Sequence, residues 1–551
     1  MENYRKRIAD DILKRKLEGK GAVLIEGPKW CGKTTTAEQI AASILYMDDP
    51  EKKEQNIAMS ELNPKRLLKG EAPRLIDEWQ LAPKLWDAIR FEVDHRGELG
   101  QFVLTGSAVP ADTKEITHSG TGRFTWLTMR PMSLYESGDS TGDVSLKDLF
   151  DGEATIEGDS NLSIDRLAFL VCRGGWPQAV GMRDEIALDQ AIDYYDAVVH
   201  SDINRADNVQ KNPERVKRLM RSYARKQGGQ VPNTVLAQDI AANDETPLSE
   251  ETVASYLNAL RKIFVVEDMP AWNPNLRSKT AIRSSDTRYY IDPSIAAAAL
   301  GIGPNDLMND LKTFGFLFET LCIRDLRVFA DALNGGIYHY RDKDGQECDA
   351  VVHLRNGKYG LIEIKLGGDK LIEEGAKSLK AMEAKIDTDK MNAPSFLMVL
   401  TGTGGGAWSV VSENGGKLYR NEASRAIIKY SDIGLKDYVV NVKALGTNVG
   451  VTGRAVDDKN YYEAVYMSGI IYLNKYANGV KTVLAKHPFI WNEEKPVDIK
   501  LKFDVTEISV YFNDELRIRY NDMSSPILNG TGGISGAGET YFDDFRCYSY
   551  K

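Results

Sequence analysis

A glycine-rich loop lies between an apolar run and a helical pattern near the start of the chain. Residues 22–26 read AVLIE, residues 27–34 read GPKWCGKT, and the residues from Thr34 to Ala42 have helical periodicity. Glycines in such a loop let the backbone curl, so that successive N–H groups face one bound anion. This order of strand, loop and helix favours the α/β class and predicts a phosphate-binding loop.

The loop matches the spacing GxxxxGK[ST], which predicts ATP and Mg²⁺ as its ligands. Lys33 is expected to reach the β- and γ-phosphates, and the hydroxyl of Thr34 is expected to hold Mg²⁺. The other residues of the loop and its helix start that we expect to contact the nucleotide are Gly27, Pro28, Cys31, Gly32 and Thr35.

Two adjacent carboxylates end another short apolar run, Arg74-Leu75-Ile76. Asp77 suits the support of Mg²⁺ through water, and Glu78 suits polarising the water that attacks the γ-phosphate. The alternative is a solvated acidic turn without chemistry. We predict that Asp77 joins Thr34 at the metal, and that Glu78 acts with Lys33 in catalysis.

Further candidate contacts follow a third run, residues 101–107 (QFVLTGS). Thr105 or Ser107 can contact the γ-phosphate or the attacking water. Arg123 and Arg130 are the candidate arginine fingers, acting in the same chain or from a neighbouring subunit. The glycines beside Arg123 favour it, because they let a loop reach a phosphate. The alternative for either arginine is a surface salt bridge.

Six segments together resemble a known family. They are, in chain order, IEGPKWCGKTTTA, RLIDEWQLAP, FVLTGSA, SGTGRF, LTMRPMSLYESG and the later RGGWPQAV. This order resembles prokaryotic AAA+-like P-loop ATPases whose C-terminal domain of unknown function has a restriction-endonuclease-like fold, and the resemblance covers about residues 1–408. It implies ATP binding by the loop glycines with Lys33 and Thr34, Asp77 and Glu78 as the Walker B pair, and a winged-helix segment in the middle.

The middle of the chain contains a helix-turn-helix pattern. Residues 235–241 and 249–257 read as two helices joined by a turn, with Ser249 as the N-cap of the second. The second helix can enter a DNA major groove, although Glu250 and Glu251 at its start also suit a packing or protein-contact module. The basic residues nearby are Lys211, Arg215, Lys217, Arg218, Arg221, Arg225 and Lys226 on one helix, and Arg277, Lys279 and Arg283 in a candidate wing.

A second candidate site follows the helical middle. Glu319 lies on an amphipathic helix, Asp349 lies on a predicted strand, and Glu363 and Lys365 lie two residues apart on the next strand. Residues i and i+2 of a strand share a face. Two carboxylates can hold a metal that activates water, and a lysine can stabilise charge on a phosphate.

This second arrangement resembles the PD-(D/E)xK nucleases. It predicts Asp349, Glu363 and Lys365 as catalytic residues, and Glu319, Asp349 and Glu363 as metal ligands. The leading proline is absent and Ala350 follows the aspartate. The alternative is a degenerate nuclease fold that serves as a scaffold or a DNA clamp.

The tail after the glycine-rich segment 402–406 differs in composition from the rest. Residues 409–551 contain 13 of the 25 tyrosines and alternate strand-like runs with turns. The late segment FDDF resembles concanavalin-like lectin and glucanase sandwiches, which implies a glycan or a protein as partner. The alternative is that the aromatic residues only fill the sandwich. The ATPase family usually ends near the glycine-rich segment, so the tail is either a natural or an engineered fusion.

These patterns predict a multidomain chain. We expect an α/β P-loop NTPase domain at 1–140, a helical and winged-helix region at 163–300, an α/β nuclease-like domain at 305–408 and an all-β sandwich at 415–551. The net charge of −10 lies entirely in residues 1–408, since the tail has 18 basic and 18 acidic residues. The acidic average argues against DNA as a partner, but the basic clusters of the middle weaken that argument.

The remaining composition predicts a cytoplasmic protein without a membrane partner. The five cysteines show no CxxC spacing, the basic start lacks a following apolar segment, and no run reaches about 18 apolar residues. We therefore predict an ATP-hydrolysing switch, in which an oligomer is an option, coupled to a nuclease-like and DNA-contacting domain. The alternatives are a non-hydrolysing regulator that binds ATP and DNA, and a carbohydrate-binding protein that acts through its tail.

Overall fold

The structure is a computed structural model that describes most of the chain. The described residues are 4–106, 120–152, 162–207, 209–241, 249–272, 285–342, 345–367, 369–386, 391–402, 408–413, 416–421, 426–429, 436–456, 459–492, 495–536 and 540–549. They form two units, one made of the described residues up to 402 and one made of those from 408 onward.

The first unit begins with a parallel five-stranded sheet in the order β2-β3-β4-β1-β5. Its strands are β1 (Ala22–Glu26), β2 (Ser43–Tyr46), β3 (Arg74–Asp77), β4 (Phe102–Gly106) and β5 (Phe124–Thr128). Its helices are α1 (Ile8–Gly19), α2 (Lys33–Glu38), α3 (Lys53–Leu62), α4 (Pro64–Leu67) and α5 (Leu85–Arg96).

Both faces of this sheet are covered. Ala22 and Leu24 of β1 point into one hydrophobic core, while Val23 and Ile25 point into another. A parallel sheet buried on both faces is the rule for α/β domains, so the sequence prediction of an α/β domain is confirmed. Because β4 lies between β1 and β3, the carboxyl ends of these three strands meet at one edge.

The middle of the first unit is helical. Its helices are α6 (Leu134–Ser137), α7 (Leu146–Asp151), α8 (Ile164–Arg173), α9 (Asp184–Ala197), a π-helix (Val198–Asp202), α10 (Ile203–Arg205), α11 (Pro213–Ala224), α12 (Asn233–Ala241), α13 (Glu250–Lys262), α14 (Pro293–Leu300) and α15 (Pro304–Asn309). As predicted, Ser249 caps α13 by accepting a hydrogen bond from the N–H of Thr252. Two antiparallel bridges, Val266 to Tyr290 and Met269 to Thr287, follow α13. The predicted wing residues Arg277, Lys279 and Arg283 lie outside the described residues, so the winged helix stays a prediction.

A four-stranded mixed sheet completes the first unit. It has the order β6-β7-β8-β9, with only β8 and β9 parallel. Its strands are β6 (Gly335–Arg341), β7 (Glu347–Leu354), β8 (Tyr359–Lys365) and β9 (Phe396–Thr401), and its helices are α16 (Leu311–Ala332) and α17 (Asp369–Glu383). One hydrophobic core runs from α7 through the helical middle to Ile364, so the helical region and the mixed sheet pack as neighbours around shared apolar residues.

The second unit consists of two antiparallel sheets. One has the order β10-β11-β22-β13-β18-β19-β20, and the other has the order β12-β21-β14-β15-β16-β17. The strands are β10 (Trp408–Glu413), β11 (Gly416–Asn421), β12 (Ala426–Lys429), β13 (Tyr438–Gly446), β14 (Asn448–Ala455), β15 (Tyr461–Met467), β16 (Ile470–Ala477), β17 (Val480–Pro488), β18 (Val497–Asp504), β19 (Glu507–Phe512), β20 (Glu515–Asn521), β21 (Thr531–Gly536) and β22 (Thr540–Ser549). Both sheets contribute to a single core, which confirms the predicted all-β tail.

Membrane-spanning helices were searched for in the described part of both units. None of the helices there is both long enough and apolar enough to cross a bilayer.

Candidate functional site

The glycine-rich loop connects β1 to α2 at the carboxyl edge of the parallel sheet. Gly27 and Gly32 have φ of 149° and 98°, in the region that favours glycine. A Cβ on Gly27 would lie 2.0 Å from the carbonyl oxygen of Met129. Only glycine therefore fits where β1 turns into the loop, and the backbone of the loop takes the tight course that the sequence predicts.

Lys33 is buried and folded back over this loop. Its Nζ donates hydrogen bonds to the carbonyl oxygens of Gly27 at 3.0 Å and Pro28 at 2.7 Å. Carbonyl oxygens are neutral acceptors, and hydrogen bonds from an ammonium to a charged phosphate are stronger. A bound phosphate can therefore draw Lys33 away from the loop carbonyls.

Two hydroxyl groups meet at Asp77, one from the first turn of α2 and one from the end of β4. Thr34 Oγ1 donates to Asp77 Oδ1 at 2.7 Å, and Thr105 Oγ1 donates to the same oxygen. Burial raises the pKa of Asp77, while the two hydroxyl donors lower it in part. The group presents only hydroxyl and carboxylate oxygens, which are the ligands that Mg²⁺ prefers. Ser107, the alternative to Thr105, lies outside the described residues.

Glu78 lies beside this group in a left-handed conformation, with φ of 54°. Burial raises the pKa of Glu78, the neighbouring Asp77 raises it further, and Lys33 lowers it in part. A carboxylate with a raised pKa is a better proton acceptor near neutral pH. Gln80 Nε2 donates a hydrogen bond to Glu78 Oε2. The sequence interpretation overlooked Gln80, although an amide two residues after the paired acids was a signal that could have found it.

Arg123 lies at the opposite edge of the sheet from the loop. Arg123 directly precedes Phe124, which pairs with Ala22, the first residue of β1. The glycine-rich loop follows Glu26, the last residue of β1. Arg123 Nε is 2.7 Å from Asp94 Oδ1, and both side chains are largely exposed. The expectation of an arginine finger within the same chain is therefore wrong for Arg123, because the length of β1 separates the two. A role from a neighbouring subunit stays a prediction.

The buried side chain of Arg130, the second candidate for an arginine finger, forms ion pairs with two carboxylates. Its Nη2 and Nε lie 2.6 and 2.8 Å from the two carboxylate oxygens of Glu267, and its Nη1 lies 2.6 Å from Asp331 Oδ2. Burial alone would raise the pKa of Glu267, but Arg130 and Arg327 lower it to about 2. Arg130 thus joins the segment after β5 to the helical middle and to the end of α16.

The outer side of the loop is held by groups that no sequence motif marks. Arg7 donates from Nη1 to the carbonyl oxygen of Cys31 at 2.7 Å and from Nη2 to that of Arg130 at 2.8 Å. Lys29 Nζ pairs with Asp202 of the π-helix at 2.5 Å. A single arginine far upstream of the loop has no recognisable spacing, so only the fold reveals these contacts.

The predicted carboxylate–lysine cluster assembles on β7 and β8. Lys365 Nζ lies 2.9 Å from Asp349 Oδ2 and 2.5 Å from Glu363 Oε2. The backbone N–H of Ile364 also donates to Asp349 Oδ2, at 2.7 Å. Burial lowers the pKa of Lys365, but the two carboxylates outweigh it and raise the pKa above its usual range.

Glu319 faces the same cluster from α16. Tyr289 donates its hydroxyl to Glu319 Oε1, and Glu319 and Asp349 line one cleft of about 50 Å³. Burial, and after it the charge of Asp349, raise the pKa of Glu319 to about 8. Burial and Asp349 likewise raise the pKa of Glu363 to about 7.

The three carboxylates of the predicted metal site are paired with other side chains. Among the described residues, no group of three His, Cys, Asp or Glu side chains is arranged to hold a metal ion. The Lys365 ammonium lies between Asp349 and Glu363, and Tyr289 donates to Glu319. An ammonium that neutralises the carboxylates competes with a metal for them, so the three-carboxylate metal site stays a prediction.

The candidate DNA-contacting helices present mixed charge. Glu250 and Glu251 are exposed at the start of α13, while Lys211 is buried and pairs with Asp207 at 2.6 Å. Arg221 of α11 is exposed. The buried Lys211 is therefore removed from the predicted basic surface, and DNA as a partner stays a prediction.

Comparison with protein families matches three parts of the chain. A model described as an AAA domain matches residues 19–137, and two models described as domains of unknown function, DUF8612 and DUF4143, match residues 164–306 and 314–404. The first match supports an AAA-like, ATPase-type N-terminal domain and agrees with the predicted ATP binding. The two others carry no described function.

Two curated relatives match 65% of the chain. The uncharacterized protein Rv2008c of Mycobacterium tuberculosis (strain ATCC 25618 / H37Rv) is 23% identical over 363 residues, which are 65% of this chain and 74% of that protein. The uncharacterized protein Mb2031c of Mycobacterium bovis (strain ATCC BAA-935 / AF2122/97) matches with the same figures. Neither relative therefore supplies a function.

Solved structures resemble part of the chain. The carbohydrate binding module CBM66 from Bacillus subtilis is 20% identical, with a TM-score of 0.23, over 26% of this chain and 96% of that chain. Sheep galectin-11 in complex with glycerol is 13% identical, with a TM-score of 0.20, over 22% of this chain and 96% of that chain. Scores this low carry no functional argument, so the glycan or protein partner of the tail stays a prediction.

Proposed function

We propose that the N-terminal domain binds ATP with Mg²⁺ and hydrolyses it. The observation that carries this proposal is the hydrogen bond from Thr34 to Asp77, which joins the phosphate-binding loop to the end of β3. Lys33 and Glu78 lie at the same edge of the sheet, one over the loop and one directly after Asp77. These are the groups that phosphoryl transfer to water requires.

In this proposal each group has a separate task. Bound Mg²⁺ neutralises charge on the phosphates, and Thr34 and Asp77 are the residues that would hold it. Lys33 exchanges the carbonyls of Gly27 and Pro28 for phosphate oxygens. The raised pKa of Glu78 suits it to orient water and accept its proton.

Hydrolysis of ATP in this site requires water as its only co-reactant. The water oxygen forms a bond to the γ-phosphorus, and the bond from that phosphorus to the β–γ bridging oxygen breaks. ADP leaves with the electron pair of that bond. Glu78 receives the proton of the water and returns it to solvent, and inorganic phosphate is the second product.

Contacts of the loop with the helical middle favour a switch. Lys29 pairs with Asp202, and Trp30 packs with its ring 6.0 Å from that of Tyr194. The carbonyl of Arg130 is held by Arg7, while its side chain binds Glu267 and Asp331. We infer that a change at the loop is passed to the helical region and to the mixed sheet through these contacts.

ATP turnover of the full chain tests the proposal. Lys33→Ala should weaken ATP binding, while Glu78→Gln should bind ATP but lose about 10²–10⁴-fold in turnover. Glu98→Gln changes an exposed glutamate in the same way and should match the parent. Turnover of Glu78→Gln equal to the parent would overturn the assignment. ATP binding without turnover by the parent would favour a non-hydrolysing regulator.

The cluster of Asp349, Glu363 and Lys365 favours a second candidate, metal-dependent cleavage of a DNA phosphodiester. Two carboxylates that share one lysine at 2.9 and 2.5 Å support it. A metal would have to displace the Lys365 ammonium from between them. Cleavage with Mg²⁺ or Mn²⁺ should vanish in Asp349→Ala and in Lys365→Ala, and cleavage that persists in both would assign it to another site or to a contaminant.

A further inference from the structure

Gln80 occupies a turn directly behind the two carboxylates of the nucleotide site. It belongs to a 3₁₀ turn, Trp79–Leu81, that starts after Glu78. Its Nε2 donates to Glu78 Oε2. Its Oε1 is buried and finds no hydrogen-bond partner within the described part of the chain. One end of the amide thus holds a carboxylate, and the other end is an acceptor without a donor.

The fold fixes the position of this amide. Trp79 is buried, with its ring 5.1 Å from the ring of Trp86, and anchors the turn in the core. Gly106 ends β4 beside Thr105, and a Cβ on Gly106 would lie 2.6 Å from Gln80 Oε1. Because Gly106 has no side chain, the amide oxygen of Gln80 can occupy this space. The space lies next to Thr105, which contacts Asp77.

We propose that Gln80 orients the attacking water together with Glu78, and this proposal rests on the hydrolysis proposed above. The attacking water has two hydrogens. One is given to Glu78, and the other is donated to Gln80 Oε1, which fills the acceptor that otherwise lacks a partner. The hydrogen bond between Gln80 and Glu78 fixes the position of both acceptors. Two fixed acceptors restrict the orientation of the attacking water more than Glu78 alone does. Orienting water in this way is a known task of glutamine in phosphoryl transfer.

Steady-state kinetics of the full chain tests this role. Gln80→Ala should lower kcat about 10–100-fold with little change in KM. Gln80→Glu keeps the size of the side chain but removes the N–H that donates to Glu78, so it should lower kcat as well. Gln55→Ala changes an exposed glutamine on α3 and should match the parent.

Gly106→Ala provides a second route to the same amide. The added methyl group pushes Gln80 Oε1 aside but leaves Gln80 itself unchanged, so kcat should fall. Both substitutions remove the same interaction, the one made by Gln80 Oε1. The double variant Gln80→Ala/Gly106→Ala should therefore have the same kcat as Gln80→Ala alone. ATP binding by each variant checks that the domain is folded.

The outcomes separate this inference from the proposed hydrolysis. If Glu78→Gln loses turnover while Gln80→Ala keeps the kcat of the parent, the role of Gln80 is overturned and hydrolysis stands. Turnover that is absent from the parent, or that Glu78→Gln leaves unchanged, overturns both. A fall in kcat of Gln80→Ala with an equal loss of ATP affinity would also overturn the role of Gln80, because it would show a general loss of binding.

Discussion

Thr34 and Asp77 belong to elements that do not pair with each other, yet their side chains are joined. Thr34 Oγ1 donates to Asp77 Oδ1 at 2.7 Å, although β4 separates β1 from β3. Thr105 at the end of β4 donates to the same oxygen. The ends of β3 and β4 and the first turn of α2 therefore share one carboxylate, which positions the phosphate-binding loop against the end of β3.

The hydroxyl of Thr34 should determine how strongly ATP binding depends on Mg²⁺. Thr34→Ala removes one of the oxygens that would hold the metal and one donor to Asp77. We expect the gain in ATP affinity on adding Mg²⁺ to fall about tenfold, which corresponds to about 1.4 kcal/mol. Calorimetric titration with ATP, with and without Mg²⁺, measures this. Weaker binding by the same factor in both conditions would contradict a metal role for Thr34.

Arg130 and Arg123 should differ sharply in their effect on stability. Arg130→Ala takes a buried partner from Asp331 and leaves Glu267 with Arg327, and loss of one member of a buried pair costs up to about 3–5 kcal/mol. Arg123→Ala removes an exposed pair with Asp94, which is screened by solvent, so the free energy of unfolding should change little. Denaturant unfolding of both variants measures the difference. Equal losses would show that the contacts of Arg130 do not hold the first unit together.

The raised pKa of Glu319 should make the first unit less stable as the pH rises. In the folded state the pKa of this glutamate is about 8, against a reference value of 4.5, so the folded state holds a proton that the unfolded state has lost between these values. Stability then falls as the pH rises from about 5 to about 8. Glu319→Gln cannot ionise and should be more stable than the parent at pH 8, by at least about 1 kcal/mol.

Thermal unfolding at pH 5, 6.5 and 8 checks this expectation for Glu319. Glutamine keeps a carbonyl oxygen that can accept the hydroxyl of Tyr289, so the packing should be retained. Glu54→Gln, an exposed change on α3, serves as the control and should follow the parent at each pH. A gain of Glu319→Gln that is the same at pH 5 and pH 8 would contradict the titration of this group.

Lys365 should compete with divalent metal for Asp349 and Glu363. Lys365→Ala removes the ammonium that lies between them, so Mn²⁺ should bind this variant about tenfold more tightly than the parent when nucleotide is absent. Lys377→Ala removes an exposed lysine paired with Glu373 and should bind Mn²⁺ as the parent does. Electron paramagnetic resonance of free Mn²⁺ measures both affinities. Unchanged Mn²⁺ affinity in Lys365→Ala would show that the lysine does not occupy a metal position.

The sequence predicted the course of the glycine-rich loop and the strand end beside it, because its signals there are local. The glycines, Lys33 and Thr34 lie within eight residues, and Asp77 and Glu78 directly follow an apolar run. Local spacing determines how a loop curls and where a strand ends. The same holds for Glu363 and Lys365, which share a strand face because they lie two residues apart.

Other roles depended on which elements become neighbours. Arg123 has the better local context for a finger, but the parallel register of β5 with β1 places it at the edge away from the loop. Lys211 is part of a basic stretch in the sequence, yet the fold buries it against Asp207. Charge along the chain therefore did not predict charge on the surface.

By itself, the sequence determined the α/β class of the first domain, the all-β tail and the residues of the phosphate-binding loop, since periodicity and turn chemistry act over a few residues. Only the tertiary structure decided that Gln80 faces Glu78, that Arg130 joins three parts of the first unit and that Lys365 stands between two carboxylates. These contacts join residues whose distance in space is set by sheet order and shared cores. The free energy of an ion pair or a buried amide depends on that distance and on burial, and neither can be read from spacing along the chain.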